Sequence, residues 1–244
     1  MGERLDVLVC CKYGVSRERA KELITGGKVR LSGEIVTKPG MKTDISPEIA
    51  AADIETKYVS RGGIKLEAAL DGFGICADGK LCADIGSSTG GFTDCLLQRG
   101  AEKVYAVDSG TEQLHGKLRG DPRVVSLERT NIRRFETDDG FRGAFDLITA
   151  DVSFISLEKI IPAVRNMIRN GGELVCLIKP QFEAGAGSVG RRGVVKNPKV
   201  REKIIKSVTE SLVKSGFEIK GLMQSPIYGR DGNAEYLAYG VYHD

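Results

Sequence analysis

Residues 80–91 join an apolar run to a loop of small residues. They read Lys-Leu-Cys-Ala-Asp-Ile-Gly-Ser-Ser-Thr-Gly-Gly, and Asp84 lies near the end of the apolar run. Glycines let a backbone turn sharply and approach a ligand, and a helix that follows such a loop offers unpaired N–H groups. The segment therefore predicts a nucleotide-cofactor site. Its candidate residues are Gly86, Ser87, Ser88, Gly90, Gly91 and Phe92.

Three positions indicate which cofactor would fit. Ser88 stands where a dinucleotide-binding loop has its second glycine, which lets the pyrophosphate approach. Asp84 would repel a pyrophosphate but would pair with a ligand ammonium, and Asp108 ends the next predicted strand, where a ribose diol would lie. S-adenosylmethionine has both an amino-acid end and a ribose, so these residues favour it. A glycine-rich strand–turn–helix without a ligand is the alternative.

The elements that must position these residues begin at Ser60, where apolar strands start to alternate with helices. This alternation predicts an α/β fold with a doubly wound, mostly parallel sheet. We expect strands near 80–85, 103–108, 123–128, 146–151, 173–179, 217–224 and 234–242, and a long helix over 198–214. Seven strands that end in an antiparallel pair are the layout of class I (Rossmann-like) methyltransferases.

Polar residues lie at or just beyond the carboxyl end of each of the first five predicted strands. In open α/β sheets the ligand lies beyond the carboxyl ends of the strands, so these residues would meet at one edge. Packing alone does not explain five polar residues at the ends of apolar strands. They are Asp84, Asp108, Asn131, Asp151 and Lys179.

The first 58 residues form a different kind of segment, with two short predicted helices and small strands. The second helix would run over 17–25, capped by Ser16, with Ala20, Leu23 and Ile24 facing inward. Residues 28–36 alternate like a hairpin around Ser32 and Gly33. The net charge of the whole chain is only +3, but residues 12–42 hold eight basic and three acidic residues.

This N-terminal segment resembles the small RNA-binding module named after the fourth small-subunit ribosomal protein. The resemblance rests on Arg4-Leu-Asp, Ser16-Arg, Ala20 and Gly27-Lys-Val-Arg-Leu-Ser-Gly33. It implies binding to structured RNA through the shape of the RNA and the charge of its backbone, which suits ribosomal RNA. A solvated basic face is the alternative. The candidate RNA-binding residues are Arg4, Arg17, Arg19, Lys21, Lys28 and Arg30.

The whole chain resembles the TlyA or hemolysin A family. The motifs are Ser60-Arg-Gly-Gly-Ile-Lys-Leu66, Asp84-Ile-Gly-Ser-Ser-Thr-Gly-Gly-Phe-Thr93, Ala150-Asp-Val-Ser-Phe-Ile-Ser156, Ile178-Lys-Pro-Gln-Phe-Glu183 and Gly232-Asn-Ala-Glu-Tyr236. This resemblance implies an RNA-binding domain over 1–58 and an FtsJ-like ribosomal RNA 2′-O-methyltransferase domain over 59–244. It also implies a catalytic tetrad of Lys65, Asp151, Lys179 and Glu235, and a cytidine ribose as acceptor in 16S RNA, 23S RNA or both.

The implied tetrad makes chemical sense for a ribose hydroxyl, which needs a base as it attacks a methyl group. Lys179 is the candidate base, and Asp151 and Glu235 would hold the two lysines and the hydroxyl in line. Taken singly, Lys65 also fits the exposed side of a helix. No Pro-Pro-aromatic sequence follows Asp151 and no Pro-Cys occurs, so chemistry at exocyclic amines or cytosine C5 is not indicated.

Residues 180–198 contain four glycines together with Arg191, Arg192 and Lys196. Cations in a glycine-rich loop beside the active site suggest an RNA clamp. A surface loop without an RNA contact is the alternative.

Composition narrows the remaining possibilities. No apolar run approaches the roughly 18 residues of a membrane span, and Arg4 and Asp6 interrupt any signal-peptide core, so we expect a cytoplasmic protein. Six cysteines without a Cys-x-x-Cys pair and only two histidines argue against a metal site.

Two other functions stay open: an RNA-binding ribosome-assembly factor without catalysis, and a haemolysin acting on membranes, as the older family name suggests.

Overall fold

The computed structural model describes residues 2–13, 15, 17–43, 49–51, 57–184, 193–195, 197–229 and 232–244. The chain divides into two compact units, Met1–Lys57 and Tyr58–Asp244. Each unit has its own buried core.

The first unit packs two helices against small antiparallel sheets. Its elements are β1 (Glu3–Arg4), α1 (Leu5–Tyr13), α2 (Arg17–Thr25), β2 (Val29–Leu31), β3 (Glu34–Val36), β4 (Lys42–Thr43) and β5 (Ile49–Ala51). The predicted second helix and hairpin are confirmed: α2 buries Ala20, Leu23 and Ile24, and β2 pairs with β3 across Ser32 and Gly33. The proposed cap, Ser16, lies outside the described residues.

The second unit alternates strands with helices. Its elements are α3 (Gly62–Phe73), β6 (Leu81–Ile85), α4 (Gly91–Gln98), β7 (Lys103–Val107), α5 (Gly116–Arg119), β8 (Val124–Leu127), β9 (Phe145–Ala150), α6 (Ile161–Met167), β10 (Ile168–Ile178), α7 (Pro180–Glu183), α8 (Pro198–Lys214), β11 (Phe217–Gln224) and β12 (Tyr236–Tyr242). Short 3₁₀ helices cover Ile132–Glu136, Asp139–Phe141 and Leu157–Lys159. The predicted long helix over 198–214 is confirmed: α8 spans these residues and buries Ile205, Val208 and Leu212.

The strands of the second unit form a seven-stranded sheet in the order β11-β12-β10-β9-β6-β7-β8. Only β12 runs antiparallel to its neighbours, and all the other pairs are parallel. The predicted doubly wound sheet with an antiparallel pair is therefore confirmed. From β6 the chain continues to one side of the sheet and from β9 to the other, and such a switch point opens a ligand crevice at the carboxyl ends of the two strands.

Two strand details differ from expectation. β10 begins at Ile168 rather than at residue 173, and its register shifts between Ile168 and Glu173. Gly171 adopts a φ of +74° there, which allows the irregularity inside a continuous strand. At the other end, β10 stops at Ile178, and Lys179 is the N-cap of α7 rather than the last residue of the strand.

No helix in the described part of the chain combines the length and apolar character needed to cross a bilayer.

Candidate active site

The glycine loop and the end of β9 lie in direct contact. The Asp151 N–H donates to the Ile85 carbonyl at 2.9 Å. Gly86 has a φ of +79°, and a Cβ at this position would lie 2.7 Å from the Asp151 carbonyl oxygen. Only glycine fits this approach. The loop and Asp151 are consequently held together by their backbones.

Asp84 lies beneath the loop rather than at its surface. Its carboxylate is fully buried and accepts hydrogen bonds from the Thr93 N–H at 2.9 Å, the Thr93 hydroxyl at 2.7 Å and the Thr149 hydroxyl at 3.2 Å. Burial raises the pKa of Asp84 to about 7, against the hydrogen bonds from Thr93, and the charge of Asp151 adds to the rise. This differs from the expected direct pairing with a ligand ammonium, because the oxygens face α4 and β9.

Phe92 also departs from its expected place at the ligand. Its side chain is 3% exposed and packs in the core beneath the loop, because α4 turns this position inward. Gly90 and Gly91 are buried as well, whereas Ser88 is exposed. The upper surface of the loop is therefore formed mainly by backbone and by small side chains.

Asp108 ties the loop to the end of β7. Its two carboxylate oxygens accept from the Ser88 N–H at 2.8 Å and the Gly110 N–H at 2.7 Å. Ser88 has a φ of +47°, so it adopts the left-handed conformation that glycine would have in a dinucleotide loop. Asn131 follows nearby, since the Thr130 N–H donates to the Asp108 carbonyl, and it caps a 3₁₀ helix by accepting from the Arg133 N–H at 3.1 Å. Asp108 and Asn131 thus share one edge with the loop.

Lys65 and Glu235 form a buried ion pair. Nζ of Lys65 lies 2.6 Å from Oε2 of Glu235, with side-chain exposures of 11% and 3%. The alternative that Lys65 lies on the exposed side of its helix is wrong, because α3 turns it inward together with Leu66 and Leu70. Gly229 packs against the Glu235 carboxylate, where a Cβ would clash with Oε1.

Lys179 and Asp151 form a second pair. Nζ of Lys179 lies 2.6 Å from Oδ1 of Asp151 and donates to the Ser153 hydroxyl at 2.8 Å. The contact with Asp151 is ionic and outside hydrogen-bond geometry. Both residues immediately follow parallel neighbours, β9 and β10, which explains why they meet.

Strand register brings the two pairs to the same end of the sheet. β10 and β12 are antiparallel, and Ile178 is the partner of Tyr236. Lys179 follows Ile178 and Glu235 precedes Tyr236, so the two residues lie side by side where β10 ends and β12 begins. The start of α3 packs closely against the start of α4, since a Cβ on Gly91 would clash with the Ser60 hydroxyl and the Gly63 nitrogen. The four residues of the implied tetrad therefore surround the end of the sheet that also carries the glycine loop.

Two residues that the sequence analysis did not assign complete this region. Phe154 is 91% exposed and has a φ of +62°, a strained conformation for a bulky side chain. Its ring lies 5.1 Å from that of Phe182, centroid to centroid. The Phe182 ring in turn lies 5.8 Å from Nζ of Lys179. An isolated aromatic in a sequence is ordinarily read as core, so only its place in the Ala150–Ser156 motif could have singled out Phe154.

The six predicted RNA-binding residues of the first unit divide into two groups. Arg4 and Arg17 contact the fully buried Asp6, at 2.9 and 3.1 Å, and the Arg4 guanidinium above all lowers the pKa of Asp6 to about 2. The others are exposed on α2 and the hairpin. They are Arg19, Lys21, Lys28 and Arg30. Arg191 and Arg192, together with Lys196, lie outside the described residues.

None of the cysteines whose side chains are described forms a disulfide. Burial raises the pKa of both Cys82 and Cys176 to about 12, and Cys95 is buried too, whereas Cys76 is exposed. Within the described ranges, His, Cys, Asp and Glu side chains form no group of three that could hold a metal ion.

A seven-stranded sheet of this order, with polar residues around its switch point, defines a class I methyltransferase fold. Residues 58–242 match the family model of FtsJ-like methyltransferases, and residues 3–46 match that of the S4 domain. The chain belongs to the FtsJ-like methyltransferase family and joins that domain to an N-terminal S4 domain.

Similar proteins cover most of the chain. YqxC of Bacillus subtilis, named as a candidate rRNA methyltransferase, is 46% identical over 238 residues, 97% of this chain and 85% of the relative. The 16S/23S rRNA (cytidine-2′-O)-methyltransferase TlyA of Mycobacterium tuberculosis is 44% identical over 225 residues, 92% of this chain and 84% of the relative. A solved structure of a candidate hemolysin from Streptococcus thermophilus has a TM-score of 0.77 at 45% identity, and the match covers 100% of this chain and 89% of that one.

Proposed function

We propose that the protein transfers a methyl group from S-adenosylmethionine to the 2′-hydroxyl of a cytidine ribose in ribosomal RNA. The observation that carries this proposal is the position of Lys179, whose Nζ contacts both Asp151 and Ser153 where the glycine loop packs against Asp151. The activity in the name of the Mycobacterium tuberculosis relative supports the same acceptor.

The residues around the loop fit S-adenosylmethionine. Asp108 is partly exposed, and its carboxylate oxygens have capacity left to accept from a ribose diol. The charges of Asp84 and Asp151 suit a cationic ligand better than a pyrophosphate. When bound, this cofactor supplies a methyl group on a positively charged sulfur. Asp108, Asn131 and the loop backbone would hold its nucleoside part.

Side chains of the protein would act on the acceptor hydroxyl. In this proposal Lys179 first releases its ammonium proton to solvent, and Nζ then receives the proton of the 2′-hydroxyl as the hydroxyl oxygen takes the methyl group, while Asp151 and Ser153 fix the direction of the amine. Lys65 and Glu235 hold the opposite side of the acceptor site, where their ion pair is 2.6 Å long and shielded from water. Orientation of this kind is itself a large source of rate.

Phe154 supports a nucleic-acid acceptor. A side chain that is 91% exposed, in a strained backbone conformation and next to the ring above Lys179, is a poor contributor to folding. Proteins that recognise unpaired RNA bases stack them on such aromatic rings. We infer that Phe154 stacks on the base of the target nucleotide.

The first unit would supply the second grip on RNA. We propose that it is an RNA-binding domain and that Arg19, Lys21, Lys28 and Arg30 contact phosphates, while Arg4 and Arg17 also hold the fold through Asp6. Arg191 and Arg192 remain proposed clamp residues on sequence grounds alone.

The decisive experiment is methylation of ribosomal subunits and free ribosomal RNA by the purified protein with radiolabelled S-adenosylmethionine. Nuclease digestion and mass spectrometry would then identify the product. We expect 2′-O-methylcytidine. RNA binding without methyl transfer would instead identify a non-catalytic assembly factor, and leakage of liposomes on addition of the pure protein would support the haemolysin alternative.

A further inference from the structure

The Glu183 carboxylate joins the end of α7 to the segment that follows β9. Its Oε1 accepts from the Leu157 N–H at 2.8 Å, and its Oε2 accepts from the Ser156 hydroxyl at 2.6 Å. The Ser156 hydroxyl also accepts from the Glu158 N–H at 3.2 Å, so it caps the 3₁₀ helix that begins at Leu157. One side chain thus fixes the far end of residues 151–157.

The same two segments meet at two further points. Lys179 of the α7 N-cap contacts Asp151 and Ser153, and Phe182 of α7 contacts Phe154. Glu183 is therefore the third residue of 179–183 that contacts residues 151–157. It is also the one that involves the backbone of the segment, so it can set where the other two lie.

Partial burial of the Glu183 carboxylate costs free energy. Glu183 is partly buried, and burial raises its pKa above the ordinary value for glutamate, against the hydrogen bonds from Leu157 and Ser156. The strained backbone of Phe154, with its φ of +62°, must likewise be held by its surroundings. Groups that a fold retains at such cost cluster at functional sites.

We propose that Glu183 is a positioning residue for the acceptor: by fixing Ser156 and Leu157 it holds Phe154 where the target base stacks. The inference rests on the proposed RNA methylation. Its chemical content is specific, since Glu183 acts through Phe154 on RNA, and its side-chain hydrogen bonds to Ser156 and Leu157 lie outside the cofactor loop.

The test compares Glu183→Ala with Glu183→Gln. Alanine removes both hydrogen bonds, and we expect the KM for RNA to rise about tenfold, the scale of a lost bond to a charged group. Affinity for S-adenosylmethionine, measured by calorimetry, should not change. Glutamine can accept from the Leu157 N–H and donate to the Ser156 oxygen, so this variant should stay within about threefold of the wild type. Glu210→Ala, on the exposed side of α8, is the matched control.

A double-mutant cycle separates positioning from a general loss of stability. In a Phe154→Ala background, the effect of Glu183→Ala on the KM for RNA should shrink to less than about threefold, because residues that act through one another are not additive. Independent, multiplicative effects would overturn the inference, as would an unchanged KM in Glu183→Ala. If Glu183→Ala does not fold, Ser156→Ala, which removes one of the two bonds, replaces it in the cycle.

The controls distinguish this inference from the proposed function. Wild-type protein that binds S-adenosylmethionine but methylates no RNA would overturn the proposed function and the inference with it. Active wild-type protein with an equally active Glu183→Ala variant would overturn the role of Glu183 alone.

Discussion

Nζ of Lys65 lies 2.6 Å from the carboxylate of Glu235, although 170 positions separate the two residues in the chain. Both side chains are buried. Taking two charges out of water is expensive, and a pair of apolar residues of similar size is often at least as stable. Stability alone therefore gives no reason for this pair, whereas an acceptor site beside Lys179 does.

The pair predicts a separation of stability from activity. Lys65→Met or Glu235→Gln alone leaves one partner unpaired, and breaking a buried pair in this way typically costs about 3–5 kcal/mol. The double variant should recover much of that free energy of unfolding, yet methyl transfer should be lost in all three. Chemical denaturation and single-turnover methylation would measure the two effects. Recovered activity in the double variant would contradict a role in the reaction. The exposed pair Lys206–Glu210 provides the control.

Lys179→Ala should abolish methyl transfer with little effect on cofactor binding. Removal of a positioned base costs about 10²–10⁴ in rate, while the loop residues stay in place. Calorimetry with S-adenosylmethionine and single-turnover assays with RNA would test this. Lys203→Ala, an exposed lysine of α8, should behave like the wild type. Near-wild-type turnover by Lys179→Ala would remove Lys179 from the role of base.

The sheet could be predicted from the sequence because each strand can be identified as an apolar run with a polar residue at its end. Parallel topology then brings Asp151 and Lys179 together without further information. Side-chain direction is harder. Along β6, Ala83 and Ile85 face one core cluster and Cys82 faces the other, so Asp84 turns toward Thr93 of α4 rather than to the ligand edge.

Two other features could not be found from spacing. Lys65 neighbours Leu66 on α3, and a helical pattern alone does not decide that a lysine turns inward, since its partner Glu235 is supplied by a distant strand. The backbone of Phe154 is left-handed, and nothing in the sequence marks an aromatic residue for that conformation. Both depend on contacts between segments far apart in the chain.

The exposed ring of Phe154 predicts that its removal weakens RNA recognition without lowering stability. Phe154→Gly removes an exposed ring and relieves a positive φ, so the Tm should not fall. The KM for RNA should nevertheless rise by about tenfold or more, since stacking of one base on an aromatic ring is worth about 1–3 kcal/mol. Phe154→Tyr should keep the KM close to the wild type, whereas Phe154→Leu, apolar but not aromatic, should not. Equal KM values for Leu and Tyr would contradict stacking.

The basic face of the first unit predicts salt-dependent binding. Replacing Lys21, Lys28 and Arg30 by glutamine should weaken RNA binding, and the slope of log K against log salt should become shallower by about 0.7–0.9 for each lost phosphate contact. Filter binding or fluorescence anisotropy over a salt series would measure the slope. Cofactor affinity should not change, because the site of the second unit is untouched.

A matched triple variant on α8 controls for charge. It replaces the exposed lysines Lys199, Lys203 and Lys214. An equal change of slope in both triple variants would show that the affinity depends on net charge rather than on the first unit.

Asp84 predicts an unusual dependence of stability on pH. Its pKa is raised to about 7 in the fold, chiefly by burial, from about 3.9 in an unfolded chain. A raised pKa means that the folded state binds the proton more tightly, so the stabilisation from Asp84 is fully present below pH 4 and is lost as the pH rises toward 7. This rise in pKa from the unfolded to the folded state corresponds to about 4 kcal/mol.

Asp84→Asn should remove this dependence. The asparagine oxygen can still accept from Thr93, and its amide can donate to the Thr149 hydroxyl, so the loop keeps its support without a buried charge. The Tm of the variant relative to the wild type should therefore rise between pH 5 and pH 8, as followed by thermal melts in matched buffers. Cofactor affinity should fall about tenfold, because a negative charge below the loop attracts the cationic ligand. A constant difference in Tm across that range would mean that Asp84 does not change its protonation there.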